Sequence, residues 1–122
     1  MEKRKLTITL QADWKGALRA AGQAAQRDGY QGETLNFESP GEFFSRLTSR
    51  RWMMVNMLQS TATPLGVREL ARRVGRDVKR VHEDANTLID SGLIERNETG
   101  ALYCPYSDIH VDMHMAPEKL AA

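Results

Sequence analysis

The side chains best suited to bind a ligand are basic groups at the start of a predicted helix over residues 78–90. Arg76, Lys79 and Arg80 lie at or just before its first turn. A guanidinium donates two hydrogen bonds to O6 and N7 of guanine, and lysine neutralises phosphate. These types at this spacing predict that the front of the helix contacts bases or nearby phosphates of double-stranded DNA.

Further candidates for DNA contact lie on both sides of that turn. They are Arg68, Arg72, Arg73, Glu83, Asn86, Thr87, Arg96 and Asn97. The arginines of the preceding helix are expected to hold the DNA backbone, as Arg50 and Arg51 could, and Asn86 can pair with adenine. Glu83 has two open interpretations, since it could accept from cytosine N4 or form an ion pair with Lys79.

Two short amphipathic helices position these groups, within the stretch LGVRELARRVGRDVKRVHEDANTLIDSGLIER at residues 65–96. Gly75 ends the first helix and Asp77 caps the second. The apolar stripes are Val67, Leu70, Ala71 and Val74 on the first helix and Val78, Val81, Ala85, Leu88 and Ile89 on the second. After Gly92, residues 93–96 and 101–103 predict a hairpin around the turn 97–100. Helix, turn, helix and hairpin in this order predict a winged helix-turn-helix.

The flanking segments predict an α+β protein. In it, the winged helix-turn-helix unit over residues 40–106 is preceded by an extension over residues 1–39 and followed by a strand and tail over residues 107–122. Residues 1–39 read as a strand over 5–10, a helix over 12–28 and a strand over 33–38, and a helix is expected to start at Ser39-Pro40. A helix over 49–60, apolar nearly all round, is expected to be central. Residues 107–122 contain an alternating strand over 107–115. This strand must pair with the N-terminal strands or with a second subunit.

Charge is distributed unevenly along the chain although the net formal charge is only +1. Residues 45–80 carry nine Lys and Arg against two acids, whereas residues 81–122 carry two against eight. A basic block over the helix pair fits a phosphate-facing surface, although a solvated basic face is the alternative. Only the front of the second helix, up to about Glu83, is then expected to meet DNA, and the acidic remainder suits protein contacts.

The terminal strand also carries a possible metal-binding set, His110, Asp112 and His114, on one face. Two imidazoles and a carboxylate suit a divalent metal, and Cys104 or His82 could add a ligand. The alternative is an ordinary solvated strand face. A metal-dependent repressor is the functional form of the first interpretation.

No catalytic motif is evident, so we expect neither an enzyme nor a cofactor. There is no phosphate-cradling glycine loop, nucleophile elbow or paired cysteine motif, and the single cysteine, Cys104, suits a small buried residue. No apolar run approaches the length that spans a bilayer, and no signal peptide is recognisable at the start. The cytoplasm is the expected compartment, with no membrane partner.

Two segments, GVRELARRVGRDVKRVHEDANTLIDSGLIER and YCPYSDIHVDMHM, carry a resemblance to known proteins. The chain resembles a family of small prokaryotic winged helix-turn-helix transcriptional regulators, distantly similar to the MarR group. Some of these resemble antitoxins encoded beside a TumE-type toxin. The resemblance implies DNA binding and a homodimer, and it makes residues 108–112 look like a structural strand.

These observations lead to one main hypothesis. The chain is expected to be a homodimeric, sequence-specific DNA-binding regulator, an antitoxin that represses its own operon and binds a cognate toxin. The alternatives are a protein-interaction module that neutralises a partner without reading DNA, and the metal-dependent repressor.

Overall fold

The computed structural model describes residues 4–10, 32–115 and 117. The predicted helix over 12–28 lies outside these residues. The described elements, in chain order, are β1 (Arg4–Leu10), β2 (Glu33–Phe37), α1 (Pro40–Arg46), α2 (Ser49–Gln59), α3 (Val67–Val74), α4 (Val78–Asp90), β3 (Glu95–Arg96), β4 (Leu102–Tyr103) and β5 (Tyr106–Asp112). The expected α+β class is confirmed.

Three strands from the two ends of the chain form one parallel sheet in the order β2-β1-β5. The partner of the terminal strand is therefore β1 of the same chain, one of the two possibilities that alternation left open. The strand ends at Asp112, which lies beside Thr9, and not at Met115 as predicted. The described part of β1 ends at Leu10, one position beyond Thr9, so it offers little pairing to the residues after Asp112.

The register gives the sheet one apolar and one polar face. Ile8 lies beside Leu35 on one side and Val111 on the other, whereas Thr7 lies beside Thr34 and His110. Leu6 and Ile8 are buried, and they belong to the same hydrophobic cluster as the helices. The apolar face of the sheet therefore closes the core.

Local capping sets the helix boundaries. The Ser39 hydroxyl accepts from the backbone N–H of Glu42 at 3.1 Å, and Pro40 opens α1. The Asp77 carboxylate accepts from the N–H of Arg80 at 3.3 Å and starts α4. These oxygens satisfy N–H groups that the first turn of a helix leaves without partners.

Gly75 forms the turn between α3 and α4, with a φ of 68°. Its N–H donates to the carbonyl of Arg72 at 3.3 Å, and the N–H of Arg76 donates to that of Ala71 at 3.0 Å. This pair of hydrogen bonds is the Schellman arrangement, which ends a helix through one left-handed residue. The predicted stop at Gly75 is therefore confirmed.

The hairpin β3–β4 packs back onto the segment before α3. Leu65 and Leu102 exchange two backbone hydrogen bonds of 2.9 and 2.7 Å. Leu93 and Ile94, predicted as part of the first strand, lie just ahead of β3 and are fully buried. The hairpin is thus anchored to the core at its base.

Two predicted core positions are exposed. Met53 is 58% exposed, whereas Met54, Val55 and Leu58 of the same helix are buried, so α2 takes part in the core as expected but is not buried all round. Val78 is 43% exposed, and the buried face of α4 begins at Val81. Within the described residues, no helix has the length and apolar character needed to cross a membrane.

The left-handed backbone at Gly75 predicts the cost of a side chain there. We expect Gly75→Ala to lower the free energy of unfolding by about 1 kcal/mol, because an L residue is strained at positive φ. A Cβ at Gly75 would meet no atom within 4 Å, so the loss would measure backbone strain alone. The measurement is urea unfolding followed by circular dichroism.

Gly41→Ala is the matched control. Gly41 lies within α1 and has no positive φ, and its Cβ would approach only the Ser39 hydroxyl, at 3.8 Å. This substitution should leave stability unchanged or raise it by up to about 1 kcal/mol. An equal loss in both variants would contradict the proposed origin of the strain.

Candidate nucleic-acid interface

The first turn of α4 presents two exposed cations. Lys79 and Arg80 directly follow the Asp77 cap, and their side chains form no hydrogen bond or ion pair with any residue that the structure describes. Both charges are therefore available to an external anion. The aligned peptide dipoles add positive potential at this end of the helix.

Arg76, predicted to reach DNA with them, has an internal partner. Its guanidinium lies 2.7 Å from the carboxylate of Asp84 and only 17% of the side chain is exposed. Arg51 of α2 binds the other oxygen of the same carboxylate at 3.0 Å. Arg51 also donates to the carbonyl of Arg46 at 2.9 Å, at the end of α1.

We call Arg51, Asp84 and Arg76 the arginine–aspartate triad. It links α2, the turn before α4 and the middle of α4. Because Asp84 is only 16% exposed, its two ion pairs are poorly screened by water. The triad thus orients α4 against α2, and it occupies two of the basic residues predicted for DNA.

On α3, one acid neutralises part of the basic surface. Arg72 and Arg73 both bind Glu69, with an Nε–Oε distance of 2.9 Å for Arg73. Hydrogen bonds from Arg72 and then Arg73 lower the pKa of Glu69 to about 2, so this carboxylate stays charged at neutral pH. Arg68 is exposed and has no partner among residues 4–10 and 32–115.

The hairpin is tied to α4 by a side-chain link. Arg96 donates to the Asn86 amide oxygen at 3.1 Å and to the carbonyl of Gly100 at 3.1 Å. The Asn86 amide nitrogen lies 3.4 Å from His82. Asn86 and Arg96, predicted as separate contacts on the helix and the hairpin, thus form one exposed polar cluster together with His82.

Asn97 has a structural task at the hairpin tip. Its side-chain oxygen accepts from the backbone N–H groups of Thr99 and Ala101 at 3.0 and 2.9 Å and from the Thr99 hydroxyl. These bonds fix the turn, so Asn97 shapes the tip and its side-chain oxygen is already occupied.

Glu83 and Thr87 lie further along α4. Glu83 is exposed and forms no ion pair with Lys79, and its backbone carbonyl accepts weakly from the Thr87 hydroxyl at 3.4 Å. The ion-pair interpretation of Glu83 is therefore wrong within the described structure, and acceptance from a base stays a prediction.

The residues proposed for the metal-binding alternative do not come together as a cluster in the described structure. In the described part of the chain, no three or more His, Cys, Asp or Glu side chains group closely enough to hold a metal ion. His110 and Asp112 are exposed on β5, and His114 lies beyond the end of the strand. Cys104 is tied elsewhere, with its thiol near the carbonyls of Leu93 and Tyr106, and burial raises its pKa.

Asp84 is the functional residue that sequence reasoning missed. It lies three residues after Val81 and four before Leu88, both fully buried, so it falls on the inner side of α4. An acid at such a spacing needs a cationic partner. That spacing is the signal that could have identified it, although the spacing does not indicate that Arg51 and Arg76 are the partners.

One family model, HVO_A0114, matches residues 46–111, more than half of the chain. The matched part runs from the end of α1 to the penultimate residue of β5 and includes the triad and the polar cluster. No curated protein and no solved structure matches the chain.

Removing the central acid of the triad should destabilise the fold. Asp84→Ala leaves Arg51 and Arg76 as two poorly hydrated, unpaired cations, and we expect the free energy of unfolding to fall by about 2 kcal/mol or more. Asp90→Ala, an exposed acid at the end of the same helix, should change it by about 0.5 kcal/mol or less. Urea unfolding of both variants tests this, and equal losses would show that the triad contributes nothing.

Proposed function

Because the chain belongs to the HVO_A0114 family, whose model spans the helix pair and the hairpin, we propose that these elements are its functional unit. In this proposal they form a winged helix-turn-helix that binds double-stranded DNA, with α4 as the recognition helix and β3–β4 as the wing. The protein is a sequence-specific transcriptional regulator.

The observation that carries the proposal is the pair of exposed cations, Lys79 and Arg80, on the first turn of α4, which have no partner among the described residues. Recognition helices of this class contact base edges through their N-terminal residues. Three nearby acids are paired or capping: Asp77 caps the helix, Asp84 lies in the triad and Glu69 binds arginines of α3, whereas Glu83 stays exposed one turn further along. The first turn of α4, ahead of Glu83, is therefore positive.

The polar cluster supports a second point of contact. Arg96 holds the hairpin against Asn86 of α4, so the wing and the recognition helix keep one relative orientation. The Arg96 guanidinium remains exposed, and in this proposal it contacts the minor groove or the adjacent backbone. Arg68 extends the basic surface from α3.

The triad narrows the set of arginines that are expected to contact DNA. Arg76 and Arg51 hold α4 in place, so we assign them to orientation of the helix and not to base contacts. Arg72 and Arg73 share Glu69, and the net charge they offer to phosphates is reduced. Specific contacts are then expected from Lys79, Arg80, Glu83 and Thr87.

The biological setting we propose is an autoregulating antitoxin that acts as a homodimer in the cytoplasm. Repression of its own operon would use the α4 surface, and the opposite side of the domain would bind the toxin. This setting rests on the family resemblance and on the division of the chain into a basic and an acidic half.

DNA binding is tested by fluorescence anisotropy with the region upstream of the gene and with a scrambled duplex. We expect Arg80→Ala and Lys79→Ala each to weaken specific binding about tenfold or more, through loss of a base or phosphate contact. The logarithm of the affinity should fall linearly with the logarithm of salt concentration.

Arg46→Ala is the matched control, since Arg46 is an exposed arginine at the end of α1, outside the helix pair. It should change the affinity about twofold or less. Binding that is indifferent to sequence, or unchanged by both α4 substitutions, would reject the assignment of α4 as the reading helix.

A second candidate function, a protein-interaction module, is favoured by one apolar surface. Phe44 and Met53 are 57% and 58% exposed, and with Leu47 and Trp52 they line one open depression between α1 and α2. Exposed aromatic and methionine side chains in one patch mark protein contacts more often than solvent-facing surface.

This candidate is tested by co-expression with the product of the adjacent gene. Phe44→Ser combined with Met53→Ser should abolish co-purification of a toxin partner and leave DNA affinity unchanged, because neither residue lies on α4. A complex that survives the double substitution would exclude this surface as the toxin site.

A further inference from the structure

The outer edge of β5 is free in the described structure. Within the sheet this strand pairs only with β1, and its other edge faces no described strand. Asp108, His110 and Asp112 are exposed, and their side chains form no hydrogen bond or ion pair with the residues described. An exposed edge of this kind is a template for pairing with another strand.

The sequence of this edge is complementary to itself when read backwards. Residues 108–114 are Asp-Ile-His-Val-Asp-Met-His. In an antiparallel pair centred on Val111, Asp108 of one copy would lie opposite His114 of the other, and His110 opposite Asp112. Ile109 would lie opposite Met113, and Val111 opposite itself. Each Asp of this segment would therefore lie across from a His of the other copy, and each apolar residue would lie across from an apolar residue.

The faces of the sheet agree with this register. In the observed pairing with β1, His110 lies beside Thr7 on the polar face and Val111 beside Ile8 on the apolar face. Asp–His pairs would extend the polar face, and the pairs of Val, Ile and Met would extend the apolar one. Met113, which is 40% exposed, would gain Ile109 as a cross-strand neighbour.

Neighbouring registers lack this agreement. Centring the pair on His110 would place Asp108 opposite Asp112 twice, and centring it on Asp112 would place His110 opposite His114. Like charges directly opposite destabilise a pair of strands. A centre on Ile109 or Met113 would retain one kind of Asp–His pair, whereas the Val111 centre alone forms both.

We propose that a second copy of this chain pairs with the free edge of β5, antiparallel and centred on Val111. The two three-stranded sheets join into one of six strands across a two-fold axis. The strand extends past Asp112 to His114, because the partner supplies the hydrogen bonds that the short β1 does not. Histidine donates to a carboxylate in either protonation state, so four Asp–His pairs hold the register.

This interface deepens the proposed function by fixing where the homodimer forms. Its consequence for DNA rests on that function: the two α4 helices are related by a two-fold axis, so the operator would contain two inverted half-sites. The interface itself is tested without DNA, so a failure of DNA binding and a failure of the dimer are separate results.

The oligomeric state of the full chain by sedimentation equilibrium tests the charge pattern. His110→Glu places Glu opposite Asp112 twice, and we expect dimer dissociation to become about tenfold to a hundredfold easier. His110→Glu with Asp112→Lys restores opposite charges and should restore the dimer. Thr34→Glu adds the same charge on the polar face of β2, at the other edge, and should leave the dimer intact.

A disulfide cross-link tests the register even if His110→Glu perturbs the fold. In a Cys104→Ser background, Val111→Cys should give an oxidised, covalently linked dimer, because directly opposite residues lie about 4.5–5.5 Å apart between Cα atoms. Ile109→Cys should not, since four residues of offset separate the two thiols by about 14 Å. A monomeric wild-type chain, a dimer indifferent to His110→Glu, or cross-linking at Ile109 in place of Val111 would overturn the proposal.

Discussion

The orientation of α4 depends on one carboxylate, that of Asp84, held between the guanidinium groups of Arg51 and Arg76. A charge at this depth is costly unless it is paired, and removal of either kind of partner leaves the other poorly solvated. The triad therefore favours one packing of α2, the turn and α4. Since α4 also carries the candidate DNA contacts on its exposed face, their placement depends on this ion-paired carboxylate at the boundary with the buried face.

The same constraint narrows the positive surface. The basic block over residues 45–80 contains nine cations in sequence, but Arg51, Arg72, Arg73 and Arg76 bind internal acids. Among the described residues, Arg46, Arg50, Arg68, Lys79 and Arg80 keep charges without an internal ion pair. The net charge of this segment thus overstates the positive charge that an anionic ligand would meet, because ion pairing depends on which residues are neighbours in space.

The parallel sheet joins the two ends of the described chain and gives the molecule a second side. With β1 in the middle, β2 and β5 become edges, and the apolar face of the sheet closes the core beneath the helices. His110, Asp112 and His114 suit a metal when read as sequence alone, but in the structure His110 and Asp112 lie on a strand whose outer edge faces no described strand, and His114 follows its end. In the proposed dimer, the alternating carboxylates and imidazoles of this segment form a surface complementary to the same segment of the second copy.

Local signals in the sequence determined the helix pair and its boundaries. Gly75 and Asp77 act within one helical turn, and the spacing of Leu70, Val81 and Leu88 already fixed which sides are buried. Only the tertiary structure decided that Arg76 faces Asp84, that Asn86 holds Arg96 and that β5 lies beside β1. Each of these contacts reaches beyond one helical turn, with ten positions between Asn86 and Arg96, and the second partner of Asp84, Arg51, is 33 positions away. Periodicity does not encode which of the possible partners a side chain or strand will meet.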